Sequence, residues 1–362
     1  MTALLFLAGL VLLVAGGELL VRGAARLAAA TGISPLVVGL TVVAFGTSSP
    51  ELAVSVQASL AGEVDIAVGN VVGSNIFNVL LILGLSAAIV PLVVSAQLVR
   101  VDVPIMIGVS ALLLLLSLDG QLSRVECALL ALGLVAYVVI QITLSRRSPQ
   151  SDEDQAVETG SPVVNVVLIV VGLGLLVLGS RWLVQSAVEI AELFGVTPFV
   201  IGLTVVAAGT SMPELATSVI AGVRGQRDIA VGNIIGSNLF NILAVLGISG
   251  LLSPAGIPVS NAALTMDIPV MVAVAVLCLP IFSTYAISRL EGLLFLAYYV
   301  LYTGYLILDS AKHEGLAEYR MLVLTIVLPL TLITVVGFSL RSWLQRRAPK
   351  RGSRSEPASP EP

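Results

Sequence analysis

The chain has 362 residues, 57% of them hydrophobic and only 11% charged, with a mean hydropathy of +1.05. A soluble domain carries about 25% charged residues, and apolar runs recur here along the whole length, which excludes both a soluble domain and a single-anchor protein. The runs are apolar all round rather than alternating, which excludes a β-barrel, and the net charge of −4 has little meaning for a chain mostly in lipid.

Spans of about 20 residues are expected near 3–28, 35–61, 66–90, 101–118 and 124–145, and again near 163–192, 198–222, 229–252, 265–282 and 288–308. An eleventh is expected near 320–343. The first run lacks a basic leader region, and its Gly16-Gly17-Glu18-Leu19-Leu20 has a counterpart in Gly179-Ser180-Arg181-Trp182-Leu183, so it reads as a retained span and not a signal peptide. The polar stretch 146–162 reads as a solvated linker. The layout is therefore 1–145, linker 146–162, 163–310, and a tail 311–362 holding the extra span. Cys127 and Cys278 fall inside spans and read as small hydrophobes.

The halves repeat. GLTVVAFGTSSPELA at 39–53 matches GLTVVAAGTSMPELA at 202–216 in 13 of 15 positions, at an offset of 163. DIAVGNVVGSNIFN from Asp65 matches DIAVGNIIGSNLFN from Asp228 at the same offset. Later, Val101-Asp102-Val103-Pro104 matches Met266-Asp267-Ile268-Pro269, and Arg124-Val125-Glu126 matches Arg289-Leu290-Glu291, at an offset of 165. Five is an odd number of spans, so tandem halves insert with opposite orientation. The cations agree. With the N-terminus outside, Arg22, Arg26, Arg100, Arg146, Arg147, Arg224, Arg227, Arg289 and six basic residues of the tail lie inside, against Arg124, Lys312 and Arg320 outside.

Each copy of the first motif sets a glutamate, Glu51 or Glu214, in an apolar run, and an ionisable group at membrane depth is a functional-site candidate. Pro50 cannot donate to the Gly46 carbonyl, so the helix should break there and free carbonyls near Ala44–Thr47. Glu51 should then sit in the first turn of the next half-helix, where the dipole favours a carboxylate. Thr210, Ser211, Met212, Pro213 and Glu214 repeat the design. In the second motif Asn70, Ser74 and Asn78 share one helix face, as do Asn233, Ser237 and Asn241, while Gly69, Gly73, Gly232 and Gly236 form small-residue stripes. The donors are all oxygens, which suits hard cations such as Ca2+ or Na+ and not zinc or copper. Each residue alone has a bland alternative, a hydroxyl bonded to its own helix or an amide joining two helices. Asp65, Asp228, Asp102 and Asp267 read as helix caps, Glu18 and Arg22 as an i,i+4 pair, and His313 has no assigned role.

These motifs resemble the α-repeats of the sodium/calcium exchanger family, within the cation/Ca2+ antiporter superfamily, over residues 1 to about 310. The resemblance implies an all-α polytopic protein of two inverted five-helix repeats, with ions bound between the second, third, seventh and eighth spans and the first and sixth sliding as a gating pair. Carried over by motif position, the ion ligands are Thr47, Ser48, Glu51, Ser74 and Asn78 with Thr210, Ser211, Glu214, Ser237 and Asn241, joined by the carbonyls of Ala44 and Ala207. Glu51, Glu214, Thr47 and Thr210 form the metal set. Two features depart from the family pattern: Asn241 stands where many sodium-coupled members have aspartate, and the eleventh span is additional to the ten-helix core. The implied function is exchange of Ca2+ for Na+ across the cell (inner) membrane, with the N-terminus outside and the C-terminus cytoplasmic. Proton coupling or another divalent cargo is the nearest alternative. No cofactor and no nucleic-acid partner are expected; the partners are the transported ions and the bilayer. A channel is disfavoured because no filter-like loop repeats around a pore. An enzyme is disfavoured because the spans hold no histidine and no paired catalytic aspartates.

Overall fold

A computed structural model describes residues 2–62, 65–145, 160–194, 207–282, 285–311 and 315–322, with 325 and 337. The described chain is almost entirely helical, with seven helices long and apolar enough to cross a membrane and one bent pair that serves as an eighth. In chain order these are α1 (Thr2–Thr31), the bent pair α2 (Pro35–Thr47) and α3 (Ser49–Ala61), α4 (Ile66–Ile89), α5 (Leu98–Leu116), α6 (Arg124–Ser145) and α7 (Pro162–Leu193). After a helical turn at Ala207–Gly209 come α8 (Met212–Val223), α9 (Arg227–Leu252), α10 (Ala263–Leu279), α11 (Arg289–Ser310) and the short α12 (Leu316–Leu322). The linker 146–159, the stretch 198–206, His313 and nearly all of the expected eleventh span lie outside the described residues.

Local sequence explains where these helices begin. The similarity around Arg124 and Arg289 is a duplicated capping box. Glu126 accepts from the Ser123 N–H at 2.7 Å and Ser123 Oγ accepts from the Glu126 N–H, while Ser288 and Glu291 do the same for α11. Ser95 and Ser260 cap the starts of α5 and α10 by accepting from Leu98 N and Ala263 N. That corrects the expectation for Asp102 and Asp267. Both helices start earlier than expected, and π-helical turns at Leu98–Asp102 and Ala263–Asp267 carry them on into the prolines. The aspartates therefore sit seven residues inside the caps, where Asp102 bonds Gln141 and Tyr137 and Asp267 accepts from Tyr302 at 2.9 Å. Asp228 is corrected too: Gln226 occupies the cap of α9, and Asp228 lies in its first turn. The helix after residue 64 does begin at Asp65, whose side chain lies outside the described set.

Two small antiparallel ribbons tie the halves together. Leu92–Val93 (β1) pairs with Ala286–Ile287 (β4), and Gln121–Leu122 (β2) pairs with Ile257–Pro258 (β3). β1 and β3 are repeat equivalents, as are β2 and β4, so each ribbon joins one strand type from each half, as a two-fold relation demands. Of the long spans, α4 and α9 are the most enclosed and α6 and α11 the most peripheral. The helices carrying the second motif therefore form the centre of the bundle.

α1 and α7 pack along their whole length through glycines spaced by seven. A Cβ on Gly16 would stand 2.7 Å from the Gly172 carbonyl oxygen, one on Gly9 2.9 Å from that of Gly179, and one on Gly23 2.9 Å from that of Asn165. Gly232 and Gly236 bring α9 just as close to the backbone of α2 at Leu36 and Leu40, as the small-residue stripe predicts. The repeat-equivalent partner of Gly69 and Gly73, residues 199–203, is outside the described set. Cys127 and Cys278 are free and buried.

Candidate ion site

The first motif breaks its helix as expected, and the break falls at one residue. Ser48 leaves the helical region (φ −82, ψ 6), the axis bends by 44°, and Pro50 and Glu51 fall in the first turn of α3. Ser211 does the same before α8 (φ −90, ψ 8), placing Pro213 and Glu214 alike. The N-terminal dipoles of two half-helices are thus offered to two carboxylates. The expectation of free carbonyls needs correction. The Ala44 carbonyl accepts from the Ser48 N–H at 3.0 Å and from the Thr47 hydroxyl at 3.3 Å, and the Gly46 carbonyl shares the Ser48 N–H. Because the kink is confined to Ser48, the preceding turn can still close on that N–H. Gly46 and Gly209 also serve close approach, since a Cβ there would meet Leu173 and Val184 of α7 at 2.6 Å.

Both carboxylates are fully buried, and each is held from the opposite repeat. Ser211 Oγ donates to Glu51 Oε1 at 3.0 Å, and Ser48 Oγ donates to Glu214 Oε1 at 3.1 Å. Ser211 also reaches Ser74 Oγ at 3.2 Å. Thr47 donates to Asn233 Oδ1 at 3.0 Å, and Thr210, half-buried, lies beside Glu51. Ser74, Asn78, Ser237 and Asn241 are buried on α4 and α9, and a π-helical turn begins at each of Asn78 and Asn241. Such turns cluster at functional sites. Ala44 is buried; the side chain of Ala207 is outside the described set.

Buried polar atoms are nearly always partnered, so the exceptions are informative. Glu51 Oε2, Glu214 Oε2, Ser237 Oγ, Asn241 Oδ1 and both side-chain polar atoms of Asn78 have no hydrogen-bond partner among the described residues. The two glutamate oxygens belong to a cluster drawn from both repeats, in which Ser48, Ser74 and Ser211 supply hydroxyls beside two acidic groups. The arrangement can strip the water from a hard cation and replace it with oxygens.

A family model described as "Sodium/calcium exchanger protein" matches residues 1–143 and 164–308, both halves and little else. The chain belongs to the sodium/calcium exchanger family. The exchanger is thus a transporter and not an enzyme. It is 39% identical over 316 residues to the putative antiporter CaxA of Alkalimonas amylolytica, covering 84% of this chain and 98% of that one. It is 34% identical to the sodium/calcium exchanger MaX1 of Methanosarcina acetivorans, covering 82% and 96%. Among solved structures, the sodium-calcium exchanger NCX_Mj soaked with 10 mM Na+ superposes with a TM-score of 0.73 at 31% identity, covering 83% of this chain and 97% of that one.

Asn70 and Asn233, expected on the site face, take the role of amides that join two helices, and Asn75 and Asn238 were not singled out by sequence reasoning. Asn70 Nδ2 donates to the Glu51 carbonyl at 3.2 Å and to Ser55 Oγ at 3.0 Å, and Asn233 repeats this with the Glu214 carbonyl and Ser218. These amides brace the broken helices from α4 and α9. Asn75 Oδ1 accepts from Asn241 at 3.0 Å, while its amide donates to the Asn238 carbonyl. The duplicated G-S-N-x-F-N held the signal for Asn75 and Asn238, but only contacts across the repeats reveal their role. The pair Glu18–Arg22 forms at 3.0 Å as expected, and Glu18 also meets Arg224 at 2.8 Å, joining α1 to the end of α8.

Proposed function

We propose that the chain is a secondary active antiporter exchanging Ca2+ for Na+ by alternating access, with the ions bound mid-membrane between two inverted repeats. The observation that carries this reading is the crossed pair, Ser48 on Glu214 and Ser211 on Glu51, which gathers two buried carboxylates with one unpartnered oxygen each. Two ionised glutamates give −2, which one Ca2+ or two Na+ neutralises in a low-dielectric site. Glu51, Glu214, Thr47 and Thr210 form the Ca2+ set. Ala44, Ser48, Ser74, Asn78, Ala207, Ser211, Ser237 and Asn241 complete the ion path. The names of MaX1 and NCX_Mj support Na+ and Ca2+ as cargo. In this reading residues 1–145 and 163–310 are the repeats, 146–162 is a cytoplasmic linker, and 311–362 adds a further span and tail. The N-terminus faces outward and the C-terminus the cytoplasm of the cell membrane.

Proton coupling is the second reading. Asn241 adds no charge and its amide is engaged by Asn75, so the site holds two carboxylates, enough for two protons as for two Na+. The hydroxyls of Ser48, Ser74 and Ser211 favour Na+, because a proton needs only a carboxylate. The deciding experiment is Ca2+ flux in proteoliposomes with pH clamped across the membrane. An imposed Na+ gradient is expected to drive Ca2+ against its own gradient. Movement that ignores Na+ and follows a pH step overturns the sodium reading.

A further inference from the structure

Asp102 is as buried as the paired glutamates, at 0% exposure, but lies apart from them on α5. Its Oδ1 accepts from the Gln141 side-chain amide and, at 3.5 Å, from the Tyr137 hydroxyl, both on α6. Gln97, half-buried just before α5 and four residues after β1, donates to Gln141 Oε1 at 2.9 Å. Asp102 Oδ2 has no hydrogen-bond partner among the described residues. Both groups bonded to Oδ1 donate, the arrangement that serves a carboxylate anion. An anion at this depth needs a counter-charge. No cation is seen paired with it among the described residues, and the exposed Arg100 donates instead to Tyr285 at 3.4 Å.

The second repeat provides an internal control. It keeps the aspartate and the tyrosine as Asp267 and Tyr302, but Gln141 and Gln97 are replaced by Leu306 and Ala262, and Asp267 is half-buried rather than enclosed. The two amides are therefore particular to the first repeat and not a by-product of the duplicated design.

We propose that Asp102, Tyr137, Gln141 and Gln97 form a second cation site, for a monovalent alkali ion, near the β1–β4 end of the bundle. Asp102 Oδ2 and the tyrosine oxygen supply hard donors, while the Gln141 amide, oriented by Gln97, keeps Oδ1 bonded and leaves Oδ2 for the ion. The single carboxylate balances one positive charge and leaves a divalent ion uncompensated. The site is separate from the glutamates and does not depend on what they transport.

The test uses full-length protein carrying Glu51→Gln and Glu214→Gln, so that failure of the exchange mechanism and failure of this site are distinguishable. Thermal unfolding is followed while NaCl or KCl replaces choline chloride at constant ionic strength, the two salts deciding between Na+ and K+. A saturable rise in the midpoint with one or both is expected, and Asp102→Asn should abolish it. Gln141→Leu, which installs the residue of the second repeat, should raise the half-saturating concentration about tenfold, the loss of roughly 1.4 kcal/mol, and carries the test if Asp102→Asn does not fold. A midpoint insensitive to Na+ and K+, one responding only to pH, or a rise that survives Asp102→Asn or is unchanged by Gln141→Leu, overturns the site.

Discussion

Glu51 and Glu214 are fully buried acidic groups in a bundle of apolar helices, and the residues around them are arranged to hold two carboxylates. Each accepts a serine hydroxyl from the other repeat and sits in the first turn of a half-helix. Neither is matched by a recorded salt bridge among the described residues. Replacing one carboxylate by its amide keeps the shape and removes one charge. At an effective dielectric of 20 and a separation of 4 Å, one charge against a divalent ion is about 8 kcal/mol, roughly five to six orders of magnitude in affinity. Glu51→Gln or Glu214→Gln alone is therefore expected to abolish Ca2+ flux in proteoliposomes while leaving the protein folded and inserted. Near-normal flux in either variant would remove the basis for the site. The Ala44 carbonyl shows the limit of reasoning from Pro50 alone. Proline removes the donor to Gly46 alone, and the Ala44 carbonyl keeps its own i+4 partner, the Ser48 N–H.

At the scale of elements, the most extensive helix contact among the described residues is between α1 and α7. Gly9, Gly16 and Gly23 recur every seven residues, and Gly172 and Gly179 match them from the other helix. This places one backbone against another, so an added side chain meets carbonyl and amide atoms that cannot rotate away. Gly16→Leu or Gly172→Leu is expected to separate the helices, lowering the unfolding midpoint and ending transport. Leu4→Ala, on the lipid-facing surface of α1 and 72% exposed, should leave both nearly unchanged. Equal effects from the buried and the exposed substitution would show that the packing has no such role. The seven-residue spacing is visible in the sequence, but α1 and α7 are separated by a linker. Nothing local states that the two glycine series face one another.

For the whole molecule, the ribbons give a direct check on topology. β1 and β4 come from opposite halves yet share one end of the bundle, and β2 and β3 share another ribbon. The native cysteines are buried, which leaves a quiet background for labelling. Single cysteines at Val93 and Ala286, both exposed, should react with an impermeant thiol reagent from the cytoplasmic side, and cysteines at Asp119 and Ala255 from the outside. Val93 and Ala255 lie in repeat-equivalent loops, so labelling of both from the same side would contradict the inverted arrangement.

The sequence alone determined the membrane class, the duplication, the expected inversion, the helix breaks and the glutamates. Each of these follows from composition, from an odd number of spans, or from proline beside glycine, which are properties of a chain read in order. Tertiary structure decided the rest. That Ser48 serves Glu214 and Ser211 serves Glu51, that Asn75 holds Asn241, and that Asp102 is an enclosed carboxylate instead of a cap all depend on which helix faces which. Capping showed the same division. Ser95 and Ser260 were as visible as Asp102 and Asp267, but a cap is defined by where the backbone leaves the helix. That position is Ser95 and Ser260, ahead of the π-helical turns, and only the folded backbone shows it.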